Sequence, residues 1–233
     1  MIPEFHAHTI GAPQLSVLLL GTAGVAILHT LAGPDHYLPF IVMGKARRWS
    51  VARTTFWTVL CGLGHVGSSV ALALLGVMLG YGLERVQFIE GFRGNLAAWA
   101  MIAFGLVYLV WGLKRAARHR PHAHGPDSGH DHEPGEAEGF RLTPWILFTI
   151  FVFGPCETMI PLVMYPAARG SWSDVWIVVA SFSVLTVGTM LAVVLLALQG
   201  IRLLPELKLS RYSHALAGGT VLLAGCAIQF LGL

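Results

Sequence analysis

Residues 28–36, LHTLAGPDH, close the first long hydrophobic run of the chain and place two histidines and an aspartate inside apolar sequence. His65 interrupts the second apolar run, and residues 154–157, GPCE, interrupt the fourth. A charged side chain in hydrocarbon costs roughly 2.5–3.5 kcal/mol even on the lenient insertion scale. Imidazole, carboxylate and thiolate groups are also the usual protein ligands of transition metals. The pattern therefore predicts a membrane protein with a polar functional site inside its helices.

The composition is that of a polytopic membrane protein. Of 233 residues, 55% are hydrophobic and 12% are charged, whereas soluble domains carry about 25% charged residues. The net charge of +3 comes from basic residues in short connectors, which argues against nucleic acid as a partner. Cys61, Cys156 and Cys226 lie in three different apolar runs and do not form a disulfide framework.

Six apolar runs are long enough to cross a membrane as helices of about 20 residues. They cover residues 14–32, 54–80, 95–113, 142–165, 174–200 and 212–233. Of the fifteen lysines and arginines, all but Arg85, Arg93 and Arg169 lie in connectors after the first, third and fifth runs. Because lysine and arginine favour the cytoplasmic side, we expect a multi-pass protein of the cytoplasmic membrane with both termini outside.

A motif recurs in the two halves of the chain. Residues 33–43 read GPDHYLPFIVM and residues 154–164 read GPCETMIPLVM. An odd number of helices per half would invert one half relative to the other, as in secondary transporters whose site lies between inverted repeats. We expect an all-α fold with a first three-helix repeat (1–113), a cytoplasmic His-rich loop (114–141) and a second repeat (142–233). The alternative is chance, since Gly-Pro is common in membrane helices.

The first half carries four candidate metal ligands. His29 and His36 are seven residues apart and share a helix face if the helix continues, and Pro34 would loosen that helix. Small residues around His65 would let its helix approach the first. Neutral imidazoles suit Ni²⁺, Co²⁺, Zn²⁺ and Cu²⁺, and Asp35 can bind the ion or orient an imidazole. The alternative is ordinary interhelical hydrogen bonding.

Cys156 and Glu157 occupy the corresponding position of the second half. They can form a second site for a softer metal, act as a gate, or carry a coupling proton; the alternative is a packing cysteine beside a protonated glutamate. Between the halves lies a Gly/Pro/His-rich tract that cannot build a core but can bind divalent metals loosely. Its candidate metal-collecting residues are His119, His122, His124, His130 and His132. A plain linker is the alternative there.

These motifs resemble those of the nickel/cobalt transporter superfamily. The pattern of His29, a short spacer and Asp35-His36 resembles the first-helix signature of NiCoT-type permeases, and residues 63–70, LGHVGSSV, resemble a second stretch of that family. Six helices with a His-rich loop are similar to the related nickel/cobalt exporters and UreH-like urease-accessory membrane proteins. The resemblance implies Ni²⁺ or Co²⁺ as substrate, handled by His29, Asp35, His36 and His65.

We therefore expect a secondary transporter of a divalent transition metal and not an enzyme. No Gly-x-x-x-x-Gly-Lys-Ser/Thr motif is present, so an ion or proton gradient, or a partner, would drive transport. The metal is cargo, with Ni²⁺ or Co²⁺ favoured over Zn²⁺ or another divalent ion, and no permanently bound cofactor is expected. Further expected partners are the lipid bilayer and, by the resemblance, proteins that mature a metalloenzyme; a homo-oligomer is left open.

Two other functions compete with transport. A membrane thiol-redox carrier of the cytochrome c biogenesis type would need two cysteines that meet. A membrane metallohydrolase would need a water-activating glutamate beside the histidines.

Overall fold

The structure, a computed structural model, describes residues 12–118, 143–154, 156–203 and 210–232. These residues form eight α-helices and two short 3₁₀ turns, at Pro34–His36 and Ser210–Tyr212, and no strand. The helices are α1 (Ala12–Ala32), α2 (Leu38–Ala46), α3 (Val51–Met78), α4 (Leu83–Arg118), α5 (Thr143–Phe153), α6 (Met159–Ala168), α7 (Trp172–Leu203) and α8 (Ser213–Leu231). The prediction of an all-α protein is confirmed for this part of the chain.

Five helices, α1, α3, α4, α7 and α8, are long and apolar enough to cross a membrane. Large apolar side chains such as Leu20, Phe88 and Leu223 point outward from them, at 70% exposure or more, as expected for surfaces that face lipid. The fourth predicted run is instead divided between two short apolar helices, α5 of 11 residues and α6 of 10.

The predicted connector over residues 81–94 is wrong from residue 83 onward. Helix α4 begins at Leu83 and continues for 36 residues. The charges that lower the hydropathy here do not end the helix, because Glu90 and Arg93 pair with each other within it. The basic tract at residues 44–53 also belongs largely to helices, since α2 ends at Ala46 and α3 begins at Val51.

Two interruptions give the fold its functional geometry. We call residues 33–37, between α1 and α2, the first break, and residues 154–158, between α5 and α6, the second break. Gly33 is extended, with φ −86° and ψ 99°, because a proline at the next position disfavours helical geometry in the residue before it. Both breaks coincide with the repeated Gly-Pro motif.

The helices of the two halves pack with corresponding neighbours. Helix α1 packs on α7 as α5 packs on α3, and α2 packs on α7 and α8 as α6 packs on α3 and α4. The pairs α3–α7 and α4–α8 also pack together. Exchanging the first four helices for the last four maps these pairs onto one another, whereas the packing of α4 on α5 and on α3 has no counterpart of similar extent.

Glycines let α4 and α8 approach closely. A Cβ atom added at Gly105, Gly112 or Gly218 would overlap the backbone of the facing helix. Small residues at helix interfaces allow this backbone contact. The α4–α8 pair is therefore closely packed along its length.

Candidate metal centre

The two breaks meet inside the protein, and side chains from both halves converge there. His29 lies in the last turn of α1, His36 in the first break, His65 in α3 and Cys156 in the second break. His36 and His65 are each 2% exposed and Cys156 is fully buried, whereas His29 is partly buried. The structure thus brings three of the predicted histidines into one cluster with a cysteine that lies more than 80 residues away in sequence.

Three of these side chains, His29, His65 and Cys156, are within reach of a single ion, and the His36 ring lies beside them without belonging to that group. The ring centroids of His29 and His36 are 4.7 Å apart, those of His36 and His65 are 5.0 Å apart, and those of His29 and His65 are 6.4 Å apart. Cys156 Sγ lies 3.9 Å from His29 Nε2, and ligand atoms of His29, His65 and Cys156 all lie within 4.8 Å of one another. In a tetrahedral nitrogen–sulfur site, ligand atoms are about 3.4–3.8 Å apart. A bound ion would therefore draw these atoms inward by about 1 Å.

The hydrogen bonds of the two buried imidazoles leave one nitrogen of each available to a cation. His36 Nδ1 lies 3.0 Å from the Gly33 carbonyl oxygen and 3.3 Å from Asp35 Oδ1. His65 Nδ1 lies 3.3 Å from the Phe151 carbonyl oxygen. Because a carbonyl oxygen only accepts, each Nδ1 carries the hydrogen, and the lone pair of the neutral ring is on Nε2. Both Nε2 atoms are buried and have no hydrogen-bond partner among the described residues.

The two predicted carboxylates, Asp35 and Glu157, lie at different positions relative to the histidines. Asp35 contacts the His36 ring, and its side chain is 20% exposed, toward a small cavity that His65 also lines. Glu157 is exposed and lies against α4, where a Cβ added at Gly91 would be 3.3 Å from its Oε1. The structure therefore places Asp35 beside the histidines but does not bring Glu157 to them.

Sequence reasoning missed a buried ion pair on α4 that reaches the site. Glu90 is fully buried, and its Oε2 lies 2.6 Å from Arg93 Nη1. Its Oε1 accepts hydrogen bonds from the Ser69 hydroxyl and, at 2.9 Å, from the backbone N–H of Cys156. The available signal was the three-residue spacing of Glu90 and Arg93, which makes them neighbours on a helix.

His119, His122, His124, His130 and His132 fall outside the described residues, so the metal-collecting loop stays a prediction. All three cysteines are free thiols, and Cys61 packs in a different apolar cluster from Cys156.

Comparisons of the chain with family models, curated proteins and solved structures find no match. Imidazole nitrogens with a thiol and an adjacent carboxylate make a donor set that suits divalent transition metals. The outer hydrogen bonds on each Nδ1 are the kind that orient metal-binding imidazoles.

Proposed function

We propose that the protein is a secondary transporter that moves a divalent transition metal through a site formed by His29, His36, His65 and Cys156. The observation that carries the proposal is the pair of buried, unpartnered Nε2 atoms on His36 and His65. Leaving a buried polar atom without a partner costs about 1–3 kcal/mol. A cation bound by His29, His65 and Cys156 can supply the partner that His65 Nε2 lacks, and we propose that the His36 ring, whose centroid is 5.0 Å from that of His65, moves to join it.

The donor set and the motif resemblance together favour Ni²⁺ or Co²⁺, with Zn²⁺ as the nearest competitor. Imidazole binds all three ions, and a thiolate shifts preference toward the softer ones. Asp35 acts through His36, because its carboxylate lies 3.3 Å from His36 Nδ1 and so orients the ring and raises its basicity.

The proposed architecture has six membrane crossings, with α5 and α6 together forming the fourth. The corresponding contacts of the two halves support inverted repeats over residues 1–113 and 142–233. The bias of lysine and arginine supports placing both chain ends outside and residues 114–141 in the cytoplasm, where their histidines would collect metal. The histidines belong to the first repeat and Cys156 to the second, which fits alternating access around a site between repeats.

The contacts of the described residues favour neither a thiol-redox carrier nor a metallohydrolase. A thiol-redox carrier needs two cysteines in contact, whereas Cys61 and Cys156 pack in separate clusters. A metallohydrolase needs a glutamate that activates water. The buried Glu90 is occupied by Arg93 and Ser69, and Glu157 is exposed.

Metal binding to the purified full-length protein tests the proposal. We compare wild type, a deletion of residues 119–133, His36→Ala and, as a matched control, His214→Ala; His214 Nδ1 lies 2.8 Å from the Tyr108 hydroxyl, at the α4–α8 contact. We expect near-stoichiometric Ni²⁺ or Co²⁺ in all of these except His36→Ala. Metal that disappears with the deletion and persists in His36→Ala would contradict the proposal. Uptake by vesicles of both orientations then gives the direction of transport.

A further inference from the structure

Side chains of other helices bind the last carbonyl groups of α5. Arg93 Nη2 donates to the carbonyl oxygens of Val152, at 2.8 Å, and of Gly154, at 3.4 Å. His65 Nδ1 donates to the carbonyl oxygen of Phe151. The last carbonyls of a helix have no partner within it, and a positive charge there is favourable. Arg93 and His65 therefore cap the end of α5 from α4 and α3.

Glu90 binds the other side of the second break. Its Oε1 accepts the backbone N–H of Cys156 at 2.9 Å, just before α6, where a negative charge is favourable. Arg93 Nη2 also donates to Ser68 Oγ at 2.8 Å, which ties the ion pair to α3 next to Ser69. The Glu90–Arg93 pair thus binds peptide groups on both sides of the break. It thereby fixes the backbone position of Cys156, from which the side chain extends.

A packing role alone does not explain this ion pair. Charges inside a membrane helix are expensive, and replacing a buried ion pair with apolar side chains of similar size is often neutral or stabilising. Apolar side chains cannot, however, accept the Cys156 N–H or donate to the Val152 carbonyl. The property that depends on the charges is the geometry of the second break.

We propose that Glu90 and Arg93 are positioning residues that hold the Cys156 sulfur within reach of a metal bound by His29 and His65. The inference rests on the proposed metal site. It adds that the thiolate takes part in binding only while α4 holds the second break. The histidines, which sit on other elements, bind the metal without this support but more weakly.

Co²⁺ binding to the full-length protein in detergent tests the inference, because a thiolate ligand gives a charge-transfer absorption band in the near ultraviolet. Cys156→Ser provides the reference without the band. The test variants are Glu90→Gln and the double variant Glu90→Met/Arg93→Met. Glu84→Gln is the matched control, because Glu84 is exposed in the first turn of α4.

We expect wild type and Glu84→Gln to show the band at full strength. Glu90→Gln and the double variant should lose most of it and bind Co²⁺ about 10–100-fold more weakly, the usual cost of removing a group that supports a ligand. The decisive quantity is the band intensity per bound Co²⁺. A merely stabilising role would lower the unfolding temperature without changing that ratio. The double variant keeps the test valid if Glu90→Gln fails to fold, because it leaves no buried charge unpaired.

Three other outcomes would contradict the inference or the proposed function. An unchanged band and affinity in Glu90→Gln and in the double variant overturn the positioning role and leave the metal site intact. Wild-type protein that binds Co²⁺ without the band also overturns the inference, because Cys156 is then no ligand. Wild-type protein that does not bind Co²⁺ or Ni²⁺ at all removes the proposed function itself.

Discussion

The two breaks supply hydrogen-bond partners to the polar groups of the interrupted helices in different ways. In the first break, the chain satisfies its own groups: the His36 N–H and ring Nδ1 both donate to the Gly33 carbonyl, at 3.1 and 3.0 Å, and the Tyr37 hydroxyl donates to the Leu31 carbonyl at 3.3 Å. The second break also makes local bonds, from Gly154 N–H to the Phe151 carbonyl and from Met159 N–H to the Cys156 carbonyl, each at 3.0 Å. It takes further partners from α3 and α4, chiefly through the buried ion pair of Glu90 and Arg93.

The positions of His36 and Cys156 therefore depend on different parts of the chain. The imidazole of His36 is set by residues within three positions of it, so its geometry belongs to a local motif. Cys156 is set by a carboxylate 66 residues away in sequence, so its geometry depends on the packing of α4. Substitutions at long range should therefore disturb the second break, whereas those that disturb the first should lie within its motif.

The largest expected contrast is between the carboxylates that contact the two breaks, Asp35 within the first and Glu90 of α4 at the second. Glu90→Ala leaves the Arg93 guanidinium without its partner in a largely buried place, and breaking such a pair costs about 3–5 kcal/mol in the free energy of unfolding. Asp35→Ala should cost about 0.5–1.5 kcal/mol, the net contribution of one hydrogen bond, because His36 keeps its bond to the Gly33 carbonyl and Asp35 is 20% exposed. Chemical unfolding in one detergent measures both, with Glu84→Ala as the control. Equal losses in Glu90→Ala and Glu84→Ala would show that the second break does not depend on α4.

The next contrast is between the glycines that begin the two breaks. A Cβ at Gly33 would lie 2.6 Å from His36 Cε1 and 2.8 Å from Asp35 Oδ1, whereas a Cβ at Gly154 would lie 3.1 Å from His65 Nδ1. Gly33→Ala should therefore displace the His36 ring and weaken metal binding about 10–100-fold, and Gly154→Ala should weaken it less.

Calorimetric titration with Ni²⁺ measures this pair of variants. Gly67→Ala is the control, because a Cβ there meets nothing within 4 Å although Gly67 lies two residues from His65. Tighter binding by Gly33→Ala than by Gly154→Ala would mean that the His36 ring is not held as the first break places it.

The sequence predicts the first break better than the second, because the contacts that set His36 are local and the contact that sets Cys156 is long-range. The Gly-Pro motif marks both interruptions, and the fold class follows from hydropathy. The self-contained contacts of Asp35 and His36 lie within one short motif and can be read from it. The contact of Glu90 with Cys156 joins residues far apart in the chain, and helical periodicity within one segment carries no information about it. Hydropathy also misplaced Glu90 and Arg93 in a connector, because averaging treats a paired charge like a solvated one.

The smallest expected contrast deletes one hydroxyl group that supports each break, Tyr37 in the first break and Ser69 of α3, which bonds to Glu90, for the second. Ser69 is fully buried and donates to Glu90 Oε1, and a hydrogen bond to a charged group contributes about 1.5–3 kcal/mol. Ser69→Ala should therefore lower the free energy of unfolding by an amount in this range. Tyr37 is partly buried, but Tyr37→Phe keeps its ring and removes a bond of 3.3 Å between neutral groups, which contributes about 0.5–1.5 kcal/mol. Ser183→Ala is the control for serine deletion, because among the described residues the Ser183 hydroxyl bonds to the Val179 carbonyl of its own helix. Equal losses of stability in Tyr37→Phe and Ser69→Ala would contradict the comparison. The first break would then depend on the Tyr37 hydroxyl as strongly as the second depends on its contacts with α3 and α4.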